Sequence, residues 1–412
     1  MPKVIPFKAT RPTRDKVSLI ASRPYESYSK SEREARLDHN PYSFLHIVNP
    51  GYKYHTEISG EERFNLVKNR FEEFKEDCNF KQDESACFYL HKIIHRNEIE
   101  FLGIVGAASV EDYENDLIKK HENTLSEKIE VFTEYLKTVH FNADPVLLTY
   151  PDNSVIEDIA EQLMQNRAEY EFTTTSHETH YFWVIDQKEM IEKISEEFQK
   201  MSHLYIADGH HRSASSVALR KVMAEQNPKH TGEEAYNFFM GFLIPESHLK
   251  IYEFNRLVKD LNGLSKDEFL IKLDAHFKIE NLKQHYYKPN QKHHFSMYLE
   301  GDFYALKLRK KKYNFDDALS KLDAQILYQT ILKPILGIQN LKNSPKLSYA
   351  QSQKDMAYVK GAVDQGKYKV GFGMYPVTIE DIKTIADEGL VMPPKTTYIE
   401  PKLRSGISIY EF

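Results

Sequence analysis

The spacing of apolar side chains cuts the first half of the chain into alternating short elements. Phe64, Val67, Phe71 and Phe74 recur at steps of three and four. That is the period of one helix face, so 60–77 reads as an amphipathic helix opened by a Ser59–Glu62 capping pair. Leu125, Ile129, Phe132, Leu136 and Val139 repeat the stripe behind a Thr124–Glu127 pair, and Ile156, Ala160 and Leu163 repeat it behind Ser154 and Glu157. Between these stripes the period is lost. Residues 86–96 and 99–109 read as two strands joined at Arg96-Asn97-Glu98, and VLLTY at 146–150, YFWVID at 181–186 and LYIA at 204–207 as buried strands. Helices are expected at 188–201 and at 212–226, the second ended by Asn227-Pro228.

The second half has more hairpin character. YNFFMGFLI at 236–244 and 368–375 read as strands, and HHFSMYL and FYALKLR flank Glu300-Gly301-Asp302, a hairpin signal. Residues 315–332 read as helix, and Thr378 caps another that ends at Gly389. The lone Gly-x-Gly in GFGMYP at 371–376 reads as packing. The class is mixed α/β, with a first α/β part over 1–245 and an α+β part over 246–412, divided near Pro245-Glu246-Ser247.

Composition narrows the partners. With 41% hydrophobic and 12% aromatic residues, the 412-residue chain can build a sizeable core, and no segment looks disordered. A formal charge of −6 gives no global basic field for nucleic acid. The apolar run Phe238 to Ile244 is far shorter than a membrane span. The N-terminal stretch has no secretory pattern, and Cys78 and Cys87 alone make neither a disulfide framework nor a structural zinc site. A reduced cytoplasmic protein is expected; a homodimer stays open.

The chemistry concentrates in LYIADGHHRSASS at 204–216. An acid, a glycine, two imidazoles and a guanidinium stand at a strand-to-helix corner. A helix start presents unpaired N–H groups and the positive end of a dipole, so it favours an anion. Gly209 permits a positive φ or a close backbone approach. His210, His211 and Arg212 add donors, and arginine clamps phosphate through two bonds. Asp208 suits a magnesium ion or the orientation of a histidine. Ala214, Ser215 and Ser216 let the helix pack closely. The corner reads as a phosphate or pyrophosphate site; the plainer alternative makes Asp208 a helix cap beside solvated histidines.

Three further groups are candidates. His121 and Glu122 precede a helix, as a phosphate contact and a base, or as solvated charges before a Thr124 cap. Glu26 follows a strand-like stretch, Val17 to Ala21, and offers a carboxylate to take a hydroxyl proton. Lys395, Thr396, Thr397, Lys402 and Arg404 set hydroxyls between cations behind Pro393-Pro394. HETH at 177–180 lacks the His-Glu-x-x-His spacing of a helical zinc site.

YIADGHHRSAS resembles the signature of the prokaryotic family called domain of unknown function 1015. RPYESYSKSEREARLDHNPYSFLHIV at 23–48, EDYENDLIKKHENT at 111–124 and MPPKTTYIEPKLRSGI at 392–407 resemble further segments of it. Two positions depart from the expected pattern: Glu26, where aspartate is usual, and Asn255, where histidine precedes Arg256. The Gly-His-His-Arg box also resembles that of the ParB/sulfiredoxin-like superfamily, whose free-serine kinases share an Asp-Gly-His-His-Arg type of box. The resemblance implies a ParB/sulfiredoxin-like nucleotide-binding core. It also implies phosphate transfer between ADP, ATP or pyrophosphate and L-serine or O-phosphoserine, with Mg2+. On that reading Gly209, His210, Arg212 and His121 meet the nucleotide, and Asp208 binds magnesium. Lys395, Thr396, Thr397 and Lys402 meet a second anion, and Glu26 or Glu122 is the base. The rivals are a ParB-like nucleotide-dependent DNA binder, for which no helix-turn-helix or basic face is evident, and a phosphatase or ligand-binding regulator using the same corner.

Overall fold

The computed structural model describes residues 1–351 and 354–412. Its contacts divide the chain into two compact units. The first comprises residues 1–120, 124–249 and 401–412; the second comprises 121–123 and 250–400.

In the first unit, nine strands form one mixed sheet among the described residues. From one edge it runs Ile118–Lys119, Leu204–Asp208, Val146–Tyr150, Phe238–Pro245, Glu100–Ser109, Phe88–Ile94, Thr179–Ile185 and Tyr170–Thr173, with Val4–Ile5 added to Glu100–Ser109. Leu204–Asp208 pairs parallel with Ile118–Lys119 and antiparallel with Val146–Tyr150; Phe238–Pro245 pairs parallel with Val146–Tyr150. Every residue of Phe238–Pro245 is buried, which explains a continuous apolar run without alternation. Helices Ser154–Met164 and Lys188–Lys200 cover one face through Ile156, Ile159, Leu163, Met190, Ile194 and Phe198. Helix His210–Gln226 packs on helix Ser126–Val139.

The second unit is built on a six-stranded antiparallel sheet. Its order is Phe277–Lys283, Asp302–Leu308, His294–Leu299, Val370–Gly373, Phe254–Val258 and Leu347–Gln351. The expected hairpin closes through Glu300 and Gly301 at φ 45° and 88°, the two left-handed positions of a tight turn. A Cβ at Gly371 would lie 2.1 Å from a methyl of Val359, and one at Gly373 2.6 Å from the sulfur of Met356. The Gly-x-Gly is therefore a close approach of helix Met356–Asp364 to the sheet.

Four local expectations fail, each for a physical reason. Residues 315–332 are not one helix. Asp317 and Ser320 bond each other's backbone N–H groups, at 2.7 and 3.0 Å, and this closed turn stops the chain before helix Asp323–Leu327, which runs on as a π-helical turn over Tyr328–Leu332. Val17–Ile20 is a helical turn, not a strand, because Thr13 O accepts from the N–H groups of Lys16 and Val17 and winds it. Ser59 stands at the expected N-cap, but its side chain makes no capping bond. Helix Ser126–Val139 begins one residue later than a Thr124 cap requires, with Leu125 at the cap position.

Candidate functional site

The corner forms as its sequence dictates. Leu204, Ile206 and Ala207 are buried, and the strand ends on Asp208. Gly209 takes φ 103°, a conformation open to glycine, and helix His210–Gln226 starts at the next residue. A Cβ on Gly209 would also meet the Arg212 guanidinium at 3.1 Å. Gly209, not Asp208, occupies the N-cap, and no side chain caps the helix start. Ser213, Ala214, Ser215 and Ser216 are buried, and Ser215 Oγ donates to His211 O at 2.7 Å. Their small side chains hold the helix close to Ser126–Val139, which fixes the first turn.

Asp208 is then free of capping duty. Its carboxylate accepts from Lys402 Nζ at 3.2 Å and lies 3.6 Å from the Arg212 guanidinium. Desolvation pushes the carboxyl up, but Lys402 and Arg212 outweigh it, with help from His210, and hold the group below the ordinary aspartate value. Arg212 also donates to Pro145 O, so the start of strand Val146–Tyr150 steadies the fork. His210 is buried. His211 Nε2 accepts from the Leu125 N–H at 3.2 Å, which makes this ring the tether of the neighbouring helix start.

The predicted residues divide by unit. Lys402 joins Asp208 in the first unit. Glu26 is exposed on the turn Tyr25–Ser27, and that turn is tied to the Lys402 segment because Ser22 and Ser405 exchange backbone bonds at 3.2 and 2.8 Å. His121, Glu122, Lys395, Thr396 and Thr397 belong to the second unit. There His121 is buried and its carbonyl accepts from Met392 N–H at 2.9 Å. Thr396 Oγ1 donates to Pro393 O at 2.6 Å, and the Lys395 ammonium lies 5.7 Å from the Phe254 ring centre. At the departure Asn255, the side-chain amide donates to Lys354 O at 3.0 Å, an intramolecular job for the position.

Some partners left no trace in the sequence. The Lys402–Asp208 contact joins residues far apart in the chain, and Arg404 donates to Ser176 Oγ and Glu178 Oε2 at 2.7 and 2.6 Å. His180, in the HETH segment, turns inward with Nδ1 3.0 Å from His91 Nε2; burial pushes His91 down to about 3 and His180 well below its ordinary value. Among the described residues no group of three or more His, Cys, Asp or Glu side chains is placed to hold a metal ion. Magnesium carried by a nucleotide needs only one or two protein carboxylates, because phosphate oxygens and water fill the remaining positions, and Asp208 is a carboxylate that could supply one.

No helix is long and apolar enough to cross a membrane among the described residues. No curated protein matches the chain. Solved structures similar in part include a free serine kinase in complex with AMP, at 14% identity and TM-score 0.35, covering 71% of this chain and 89% of that one. Another is SbnI with C-terminal truncation from Staphylococcus aureus, at 11% identity and TM-score 0.39, covering 74% and 85%. A third is a conserved hypothetical protein from Pyrococcus furiosus, at 16% identity and TM-score 0.34, covering 71% and 91%. At that level of superposition none speaks to the chemistry of this chain. The family model described as Protein of unknown function (DUF1015) matches residues 4–325, most of the length, and the chain belongs to that family.

Proposed function

We propose that the protein is a phosphotransferase that moves phosphate between a nucleotide or pyrophosphate and the hydroxyl of L-serine, in one or both directions. The observation that carries this reading is the corner itself. Beside a helix N-terminus behind a glycine at φ 103° stands a carboxylate that lies 3.2 Å from a lysine ammonium and 3.6 Å from an arginine guanidinium. Phosphate transfer asks a protein mainly for positioning and charge neutralisation, and these groups supply both. The likeness of the 208–212 box to that of free-serine kinases supplies the substrate class.

Arg212 and His210 hold the transferring phosphate, and Gly209 admits it to the helix N–H groups. Asp208 would hold magnesium together with the nucleotide phosphates, and the ion would supply charge neutralisation there. Lys402, released from Asp208, turns to the phosphate. Glu26 has no ion-pair partner among the described residues and takes the hydroxyl proton as the oxygen–phosphorus bond forms and the donor's bridging bond breaks. His211 orients the corner through Leu125.

The test incubates the protein and Mg2+ with O-phosphoserine and ADP, and separately with L-serine and ATP, ADP or pyrophosphate, read by mass spectrometry. Transfer above an Asp208→Ala/Arg212→Ala double variant is expected. No transfer in any pairing removes the serine assignment, and phosphate released to water instead marks a phosphatase.

A further inference from the structure

The segment that carries Glu26 has a second feature, unrelated to the 208–212 motif. Tyr25 and Tyr28 stand on either side of Glu26 and Ser27, and four arginines are laid against their rings. The Arg33 and Arg63 guanidiniums lie 4.2 and 5.3 Å from the Tyr25 ring centre. Those of Arg23 and Arg36 lie 4.2 and 5.3 Å from that of Tyr28. The local sequence builds this. Ser29 and Glu32 form a reciprocal capping box that starts helix Lys30–His39, so Arg33 and Arg36, three residues apart, share a face and lean back over the preceding turn. Tyr28 is anchored in a small core with Leu37 and Leu45, and its hydroxyl accepts from the Arg23 N–H at 2.8 Å.

The charges do not balance. Glu32 is 3.8 Å from Arg23. The Glu32 carboxylate also acts on Arg36, whose guanidinium donates to Thr175 Oγ1 at 3.0 Å, while Arg33 and Arg63 donate to neutral oxygens, the Tyr28 carbonyl at 3.4 Å and the Val48 carbonyl at 2.8 Å. All four side chains are half-buried, where water screens their mutual repulsion less than at an open surface. The rings and carbonyls fix the forks but cannot neutralise them.

We propose that Arg23, Arg33, Arg36 and Arg63, held on Tyr25 and Tyr28, form a binding site for a small oxyanion, a carboxylate or a phosphate monoester. A fixed guanidinium with unused N–H groups matches such an anion through two parallel bonds. A polyanion is a poor match, because the exposed side of helix Lys30–His39 carries Glu34 and Asp38 and the chain has a formal charge of −6. The site stands whether or not the corner transfers phosphate. It also places an anionic group of a small molecule beside Glu26.

The experiment reads binding rather than turnover, on the full chain. Arginine modification by phenylglyoxal is mapped by peptide mass spectrometry with inorganic phosphate, L-serine, L-serine methyl ester or O-phosphoserine at matched ionic strength. Slowed modification at Arg33 and Arg63 by one or more of the acids, and not by the ester, is expected. Protection by L-serine identifies a carboxylate, and protection by phosphate without L-serine identifies a phosphate. Titration calorimetry of Arg33→Met/Arg63→Met is expected to weaken the protecting anion at least roughly tenfold while ADP binding is unchanged. Equal modification rates under every condition, or unchanged anion affinity in a folded double variant, would overturn the proposal and leave the stacks as packing.

Discussion

Arg212 and Arg256 look alike in the sequence, each following a side chain rich in hydrogen-bonding groups, His211 or Asn255, and the structure treats them oppositely. Arg212 sits in the first turn of a helix, 26% exposed, with Asp208 at 3.6 Å. Arg256 sits inside strand Phe254–Val258, 1% exposed, donating to Phe254 O with its guanidinium 4.7 Å from the Tyr349 ring centre. Burial lowers the Arg256 pKa to about 10, opposed by Tyr349. A cation balanced by a half-exposed acid can exchange that acid for a ligand at little cost. A fully buried cation closed in by a ring and a carbonyl, as Arg256 is, has no face left for a ligand. Exposure and the kind of counter-group, not residue type, separate an arginine that a ligand can reach from one that it cannot.

The largest effect that can break this contrast is on turnover. Arg212→Lys keeps the charge and loses the planar fork, so phosphate transfer is expected to fall by about 10²–10³, equivalent to about 2.7–4 kcal/mol, with an unchanged circular dichroism spectrum. Near-normal transfer in that variant would put Arg212 in the same class as Arg256. The matching change at Arg256 should appear in stability instead. Arg256→Ala leaves a void beside Tyr349 and is expected to cost roughly 2–4 kcal/mol in urea unfolding of the second unit. Arg256→Met fills the space without burying charge and should lie within about 1 kcal/mol of the parent, or above it. A methionine variant as unstable as the alanine one would mean that the charge-to-ring contact itself holds the sheet.

A smaller effect sharpens the geometry of the corner. Gly209 at φ 103° has its would-be Cβ 3.1 Å from the Arg212 guanidinium. Gly209→Ala is expected to cost about 1–2 kcal/mol in backbone strain and to displace the fork, so activity should fall further than the melting temperature suggests. An active, equally stable Gly209→Ala protein would show that neither φ nor the close approach matters.

What could be read from the sequence was local. VLLTY at 146–150, the strand at 204–207, the Glu300-Gly301-Asp302 hairpin and the Thr378 cap depend on residues a few positions apart, and the structure has each of them. The same locality made the 208–212 corner legible, since strand end, glycine and helix start are contiguous. What stayed hidden depends on distant partners. Helix Ser126–Val139 has the predicted stripe, yet the N–H of its cap residue Leu125 is met by His211 rather than by a Thr124 cap. Lys402 reads in the sequence as a contact for a second anion, and only the fold shows that its partner is Asp208. Residues 315–332 carry helical spacing, and only the mutual bonding of Asp317 and Ser320 shows why the helix starts late. The four arginines around Tyr25 and Tyr28 come from three elements, so no run of sequence announces them.

The smallest expected stability change is also the most diagnostic for the half-exposed side of the contrast. Asp208 is held below the ordinary aspartate value despite desolvation, because Lys402 and Arg212 favour its charged form. A folded-state pKa that is depressed contributes stability above the unfolded value, and that contribution is lost as pH falls through the folded one. The group is 42% exposed, so solvent screening reduces the contribution to below about 1 kcal/mol. Asp208→Asn should therefore barely change urea unfolding at neutral pH and should soften the acid limb of the stability profile below the ordinary aspartate range. No capping bond is lost, since Gly209 holds the N-cap. Activity should respond differently, because an amide is a poor magnesium ligand and leaves Lys402 and Arg212 without their acid. The Mg2+ concentration for half-maximal transfer is expected to rise roughly tenfold or more. An unchanged magnesium titration would reduce Asp208 to the ion pair that fastens residues 401–405 to the corner, and the arginine beside it would then have to act without a metal-bearing neighbour.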